Sequence, residues 1–353
     1  MILLILVLAL LAGLLGTQPG SRWVLDQVRQ PLPLALGEAR GTWLTGLSLG
    51  YVTYEQGGQR YHLEDLSFRW QPLALLGGNV SIQSLRARLI EVRLPATGET
   101  DPAGVDEAFA LPEVTVPFGF QLEALELRQI VVHQGEMSYQ LPAISAALSA
   151  RGSKLRLHSL TLEADSYQVA LSGGVTLANS YPLDLSIQWN YHLKDDSSSS
   201  DAAGLMFRGR GQLSGDLNQL LLEHQLTSPQ QLETQLSLKP HLTEPQASPE
   251  LAVTSQWSQQ PLASGLSPAG WPAIETQGQL ELEGWLDDYR LRLNTRTLLE
   301  PSEVVQSQAL NLNVQARGTA HNLVLERLEL DTGQGRLEGE GRLAWAPDWS
   351  GEL

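Results

Sequence analysis

The chain has 353 residues and a formal net charge of −16, from 23 basic against 39 acidic side chains. That balance excludes a general nucleic-acid binder, which neutralises phosphate with clustered Lys and Arg, and argues against a polybasic grip on anionic lipid headgroups. With 42% hydrophobic and 18% charged residues it is not a disordered acidic tail, its 32 glycines and 19 prolines favour turns over long helices, and its lack of cysteine excludes disulfides, thiolate metal sites and thiol catalysis.

Residues 1–16 read MILLILVLALLAGLLG and carry no charge. As a helix this run would measure about 24 Å at ~1.5 Å per residue, slightly short of a bilayer core about 30 Å thick. It reads as a single-pass transmembrane anchor, with a cleaved signal peptide and a buried soluble helix as alternatives. Either of the first two exports the rest of the chain. No Lys or Arg precedes the run, so the native start is expected further upstream. Residues 17–36 form a lead-in. Ser21 is the expected N-cap of a short amphipathic helix, Trp23, Val24 and Val28 share one face, and Pro31 and Pro33 end it. Such a helix would lie on the membrane surface or plug the end of the fold that follows.

From residue 37 to residue 353 the period is two. Val169, Leu171, Val175 and Leu177, then Leu183, Leu185, Ile187 and Trp189, all have odd parity, whereas Ser172, Thr176, Asp184 and Gln188 have even parity. Alternate residues of a strand face opposite sides, so the pattern predicts a mainly β protein whose sheet has one apolar and one wet face. Turns are expected at Gly57-Gly58, Gly77-Gly78-Asn79, Asp287-Asp288 and Gly333-Gln334-Gly335. Helical pattern is scarce, with one turn over Pro72–Leu76. A weak repeat relates Ser159–Leu185 to Arg327–Leu353 at a constant offset of 168, pairing Leu160 with Leu328, Gly173 with Gly341 and Val175 with Leu343. Mobile loops are expected at Lys194–Asp201, Thr97–Ala108 and Pro240–Pro249. The matching residue of the earlier copy continues as strand, so the chain is expected to be a fragment with more sheet beyond Leu353.

Motifs for covalent chemistry are weak. Gly46-Leu47-Ser48-Leu49-Gly50 has the G-x-S-x-G form of a nucleophile elbow, but that elbow needs a strand, a strained turn and a helix. Here Tyr51-Val52-Thr53-Tyr54 continues as strand, which makes Ser48 a wet-face residue. The seven histidines (62, 133, 158, 192, 224, 241 and 321) are never closer than 17 residues and show no metal-ligand spacing. Gly209–Gly215 has the wrong glycine spacing for a dinucleotide fingerprint. No enzyme activity, metal or cofactor is expected.

A one-sided sheet must hide its apolar face beneath a second sheet, helices, a partner or a ligand. Folded along its length, it would form a trough able to hold a lipid acyl chain, each buried methylene stabilising by about 0.8 kcal/mol. A closed sandwich or solenoid with a dry core is the alternative that periodicity alone favours.

Several segments carry a resemblance in their order along the chain: Gly20–Leu25, Gly41–Leu49 (GTWLTGLSL), Leu66–Leu76 (LSFRWQPLALL), Ile82–Leu85 and Gly339–Trp345 (GEGRLAW). Together they are similar to the N-terminal part of the AsmA-like family. The resemblance implies an elongated, taco-like folded β-sheet around an apolar groove, preceded by an inner-membrane helix and standing in the periplasm. It implies movement of phospholipid between inner and outer membranes, with the eight odd-parity residues from Val169 to Trp189 lining the groove against acyl chains. It also implies a part in outer-membrane protein assembly with the outer-membrane partner TamA, through a C-terminal region absent from this sequence. The alternative implied function is an assembly factor that presents its strands to outer-membrane proteins.

Overall fold

A computed structural model describes residues 13–29, 33–94, 113–135, 137–193, 205–241, 247–262, 273–301, 308–345 and 350–352. The anchor expected over residues 1–16 falls largely outside them, as do most of the loops expected at 97–108, 194–201 and 240–249. Among the described residues, no helix is long and apolar enough to cross a membrane. The chain divides into two units, the first ending at Ala178 and the second beginning at Asn179.

The first unit opens with helix α1 (Gln18–Arg29) and continues through β1 (Leu34–Leu36), β2 (Ala39–Thr42), β3 (Gly46–Gln56) and β4 (Gln59–Trp70). A 3₁₀ helix (Pro72–Gly77) precedes β5 (Asn79–Leu94) and β6 (Val116–Gln134); then come β7 (Met137–Leu141), β8 (Ala143–Gly152), β9 (Lys154–Glu163) and β10 (Tyr167–Thr176). Gly57 and Gly58 take φ of +60° and +79° between the paired Gln56 and Gln59. Two successive left-handed residues make the tight turn that the β3–β4 twist requires, which is why a glycine pair sits there. The pairings are antiparallel except β5–β6, which run parallel from Asn79↔Gly119 to Leu94↔Gln134. A parallel pair needs a crossover between its strands, and β5 and β6 are separated in sequence by residues 95–115.

Helix α1 corrects the sequence expectation. Ser21 lies inside the helix, 1% exposed, rather than capping it. Its hydroxyl donates to the Leu15 carbonyl at 3.2 Å and accepts from the Trp43 backbone N–H at 3.2 Å. With the helix beginning at Gln18, Ser21 and Leu25 fall one turn apart on the buried face. Leu25 packs with Leu47 and Leu49 of β3, surrounded by Leu36, Ala39, Trp43, Val52 and Leu66. Trp23 is 54% exposed, on another side of the helix. The side chain of Val28 lies outside the described residues.

The second unit is an antiparallel meander in which each strand pairs with the next. It comprises β11 (Leu183–Leu193), β12 (Leu205–Gly215), β13 (Leu220–Ser228), β14 (Leu232–Lys239), β15 (Glu250–Pro261) and β16 (Ile274–Trp285). It then runs through β17 (Asp288–Leu299), β18 (Gln308–Gly318), β19 (Asn322–Asp331), β20 (Arg336–Ala344) and β21 (Ser350–Glu352). The turn expected at Asp287-Asp288 is shifted by one residue: Trp285 pairs with Asp288, so Leu286-Asp287 makes the turn. Asp288 opens β17 and forms a two-pronged ion pair with Arg317, both bonds 2.6 Å. Arg317 holds the Asp288 carboxyl below its ordinary range.

The offset of 168 reappears in strand geometry. Strand β9 displaced by that number becomes Asn322–Asp331, the bounds of β19, and β10 displaced matches β20 to within one residue. Registers match as well: Leu160↔Leu171 corresponds to Leu328↔Gly339, and Leu157↔Gly173 to Leu325↔Gly341. Both hairpins carry their irregularity at the same place, between Leu157 and Leu160 and between Leu325 and Leu328. That bulge has a physical purpose. Leu155 and Leu157 have one parity while Leu160 and Leu162 have the other, and one extra residue returns all four to the same face.

Candidate functional site

Cross-strand register assembles the apolar residues into rows. In the first unit one row passes from Leu47 through Phe68, Leu85, Leu125, Ala146 and Leu160 to Leu171. In the second unit a row passes from Leu185 through Leu213, Leu222, Leu236, Val253, Leu282, Leu291 and Ala316 to Leu325. Opposed side chains in adjacent strands lie side by side on one face, so each row is a continuous apolar strip perpendicular to the strands. Of the nine residues in the second row, only Ala316 is fully buried; the others are half-buried.

The residues singled out from sequence divide between the units. In β10, Val169 opposes Leu162, Leu171 opposes Leu160 and Val175 opposes Leu155. Leu177 follows the strand, its N–H donating to the Ser153 carbonyl at 2.7 Å. In β11, Leu183, Leu185, Ile187 and Trp189 oppose Gly215, Leu213, Gly211 and Gly209. All eight are half-buried. The opposite parity behaves differently in the two strands. Asp184 and Gln188 are exposed as expected, whereas Ser172 and Thr176 are half-buried.

Two features of this face escape a simple parity reading. The first is a set of aromatic rings laid over glycines of the neighbouring strand. A Cβ on Gly209 would meet Trp189 ring atoms at 2.5 Å, one on Gly278 would meet Trp257 at 2.5 Å, and one on Gly318 would meet Tyr289 at 2.5 Å. The rings cover backbone that a strand glycine would leave bare. The sequence signal was a glycine at an apolar-parity position, legible only once the facing strand is known.

The second feature is a polar rung inside the apolar face. Ile187, Gly211, His224, Thr234, Ser255 and Leu280 form one row. The Trp189 Nε1–H donates to His224 Nε2 at 3.0 Å, with the rings stacked at an interplanar angle of 11°. Thr234 and Ser255 hydroxyls bond to each other at 2.9 Å. Burial pushes the His224 ring down from the usual histidine value, favouring the neutral form. Satisfied in this way, the rung removes much of the penalty for polar groups on an apolar face.

Ser48 is exposed in the middle of β3, between buried Leu47 and Leu49, opposite Arg40 on one side and Ser67 on the other. The segment is continuous strand, so the strand–turn–helix geometry of a nucleophile elbow is not formed there. Among the described residues, no cluster of three or more His, Asp or Glu side chains is arranged to hold a metal.

Strand after strand joined in meander order, with apolar rows on one face, defines a repetitive sheet protein whose apolar face recruits residues from many strands. The family model described as TamB, N-terminal domain, matches residues 6–109 and 96–353, and the chain belongs to that family. Membership associates it with the cell envelope and with the translocation and assembly module, a transport and assembly component in which the family works with TamA. No solved structure matches the chain.

Proposed function

We propose that the chain is part of an inner-membrane-anchored periplasmic conduit that moves phospholipid between the inner and outer membranes, its acyl chains lying on the apolar sheet face. Residues 1–16 are the anchor, residues 17–36 the lead-in, and residues 37–353 the periplasmic β region. The observation that carries this reading is the row from Leu185 to Leu325: nine strands place an apolar side chain in register, and eight of the nine remain half-buried. A dry sandwich core would bury such leucines fully. A surface left partly open offers contact to a sliding acyl chain, at about 0.8 kcal/mol per methylene covered.

The eight odd-parity residues of β10, of the position just after it and of β11 are the proposed lipid-facing set: Val169, Leu171, Val175, Leu177, Leu183, Leu185, Ile187 and Trp189. The test compares a photocrosslinker at position 185 with one at 184. Lipid is expected to label from 185 and not from 184. Leu185→Asp is expected to retain the native circular dichroism spectrum while losing lipid transfer, and Asp184→Leu to retain both. Equal labelling at the two positions, or at neither, overturns the assignment. Unfolding of Leu185→Asp without lipid labelling in the parent chain would favour a closed core.

A second reading draws on β7. This strand pairs with β6 alone among the described strands, and all five of its residues are exposed, with Met137 at 57%, Tyr139 at 47% and Leu141 at 42%. An edge of this kind can take an added strand, which suits an assembly factor acting with TamA on outer-membrane proteins. Crosslinking from Tyr139 to unfolded outer-membrane protein segments, in a chain that carries no lipid, would favour it.

A further inference from the structure

We infer that one end of the first unit makes a second membrane contact, in which the 3₁₀ helix Pro72–Gly77 and Phe118 enter the apolar layer of an anionic phospholipid bilayer while Arg151, Lys154 and Arg156 meet its headgroups. Leu73 and Leu76 are 79% and 86% exposed, more than any other large apolar side chain described. They project from a segment, Pro72–Asn79, without a charged residue. Phe118, 46% exposed, lies beside the end of that segment, because the next residue, Gly119, donates its N–H to the Gly78 carbonyl at 3.0 Å.

Two features point to a bilayer as the occupant. The patch lies at the end of β4 that is tied to Leu15, in the apolar N-terminal run: Leu15 accepts from the Leu44 N–H at 3.2 Å, and Trp43, the neighbour of Leu44, accepts from the Trp70 indole at 2.6 Å, two residues before the 3₁₀ helix. The patch also abuts positive charge. Arg151 donates to Asn79 Oδ1 at 3.3 Å, and Asn79, Gly119, Arg151, Lys154 and Arg156 line one recess. Arg151 and Lys154 face each other across the β8–β9 hairpin. All three basic residues are exposed, and none forms a salt bridge among the described residues. In a chain of net charge −16 the three basic groups stand out locally, and apolar side chains beside exposed Lys and Arg make the pairing that binds an anionic lipid surface. The whole-chain charge, which argues against such a grip, averages this end away.

The inference rests on the anchoring in the proposed reading and not on lipid transfer. The lack of cysteine allows a single label on the full chain. Leu76→Cys and Gln59→Cys, the latter at the opposite end of β4, would each carry an environment-sensitive fluorophore in vesicles of phosphatidylcholine with phosphatidylglycerol, quenched by acyl-chain nitroxide lipids. Circular dichroism confirms folding of each. The label at 76 is expected to quench several-fold more than that at 59. Replacing phosphatidylglycerol by phosphatidylcholine, or combining Arg151→Gln, Lys154→Gln and Arg156→Gln, is expected to reduce that excess, with each charge contributing about five-fold in membrane partitioning. Equal quenching at 76 and 59 overturns the contact. Quenching at 76 that ignores both charge changes overturns the anionic headgroup partner. Loss of lipid transfer with 76 still deeply quenched counts against the conduit alone.

Discussion

The two units are built from the same kind of strand and are held together differently. Of the ten fully buried hydrophobic residues described, seven (Leu25, Leu47, Leu49, Ala87, Leu122, Ile130 and Ala146) lie in the first unit and three in the second. The first unit gathers a local core because helix α1 lies on β3, and because the parallel β5–β6 pair brings distant segments side by side. The second pairs each strand with its neighbour in sequence, so its contacts are sequentially local and its stability is close to a sum of nearest-neighbour terms, as in repeat proteins. The difference teaches that an apolar row does not make a core by itself. A core needs a second layer, and among the described residues an α-helix packed on the sheet is found at the start of the chain.

The largest expected effect comes from the packed end. Leu49→Ala removes a leucine 7% exposed against Leu25 and Leu47 and is expected to cost about 2–5 kcal/mol. The same change at half-buried Leu222 is expected to cost about 1 kcal/mol, since part of its surface is already wet. Hydrogen exchange on each unit measures both. Equal losses would break the comparison by placing a hidden packed layer over the second unit.

A smaller effect sharpens how the second unit manages without such a layer. A Cβ on Gly278 would meet Trp257 at 2.5 Å and the Asn294 carbonyl oxygen at 2.6 Å, whereas one on Gly335 would meet nothing within 4 Å. Gly278→Ala is expected to cost about 1–3 kcal/mol by overpacking and to shift tryptophan fluorescence, while Gly335→Ala leaves both unchanged. If Gly278→Ala is also silent, the rings over glycines are not a structural device.

The smallest effect concerns the polar rung. His224 has its ring pushed below the usual value of 6.5 by burial, so the unfolded chain binds the proton more readily. Stability tied to this group is present above the usual value and is lost as pH falls through it toward the lower folded value. Protonation would also remove the Nε2 acceptor for Trp189. His224→Gln keeps an acceptor that does not titrate. It is expected to flatten the fall in second-unit stability between about pH 7 and 5, read by hydrogen exchange in that unit. An unchanged slope would mean that the ring is solvated.

Residue pattern alone determined much of this protein. The alternation in Leu183–Trp189 marked the strand and its apolar parity, Gly57-Gly58 marked a turn, the glycines near Pro72–Leu76 bounded the only short helical turn read after residue 37, and the offset of 168 anticipated two related strand–turn–strand segments. These are local properties, fixed by side-chain period and by the few residues that tolerate a tight turn. Tertiary structure decided the rest. The bulges that return Leu155 and Leu160 to one face, the half-burial of Ser172 and Thr176, the parallel β5–β6 pair, and the turn of α1 that buries Ser21 and Leu25 while exposing Trp23 all depend on partners far away in sequence. So does the meeting of Asn79, just after the 3₁₀ helix, with Arg151 in an acidic chain. A period states which residues share a face of one strand, but pairing register states which strands share that face, and register is set by the whole sheet.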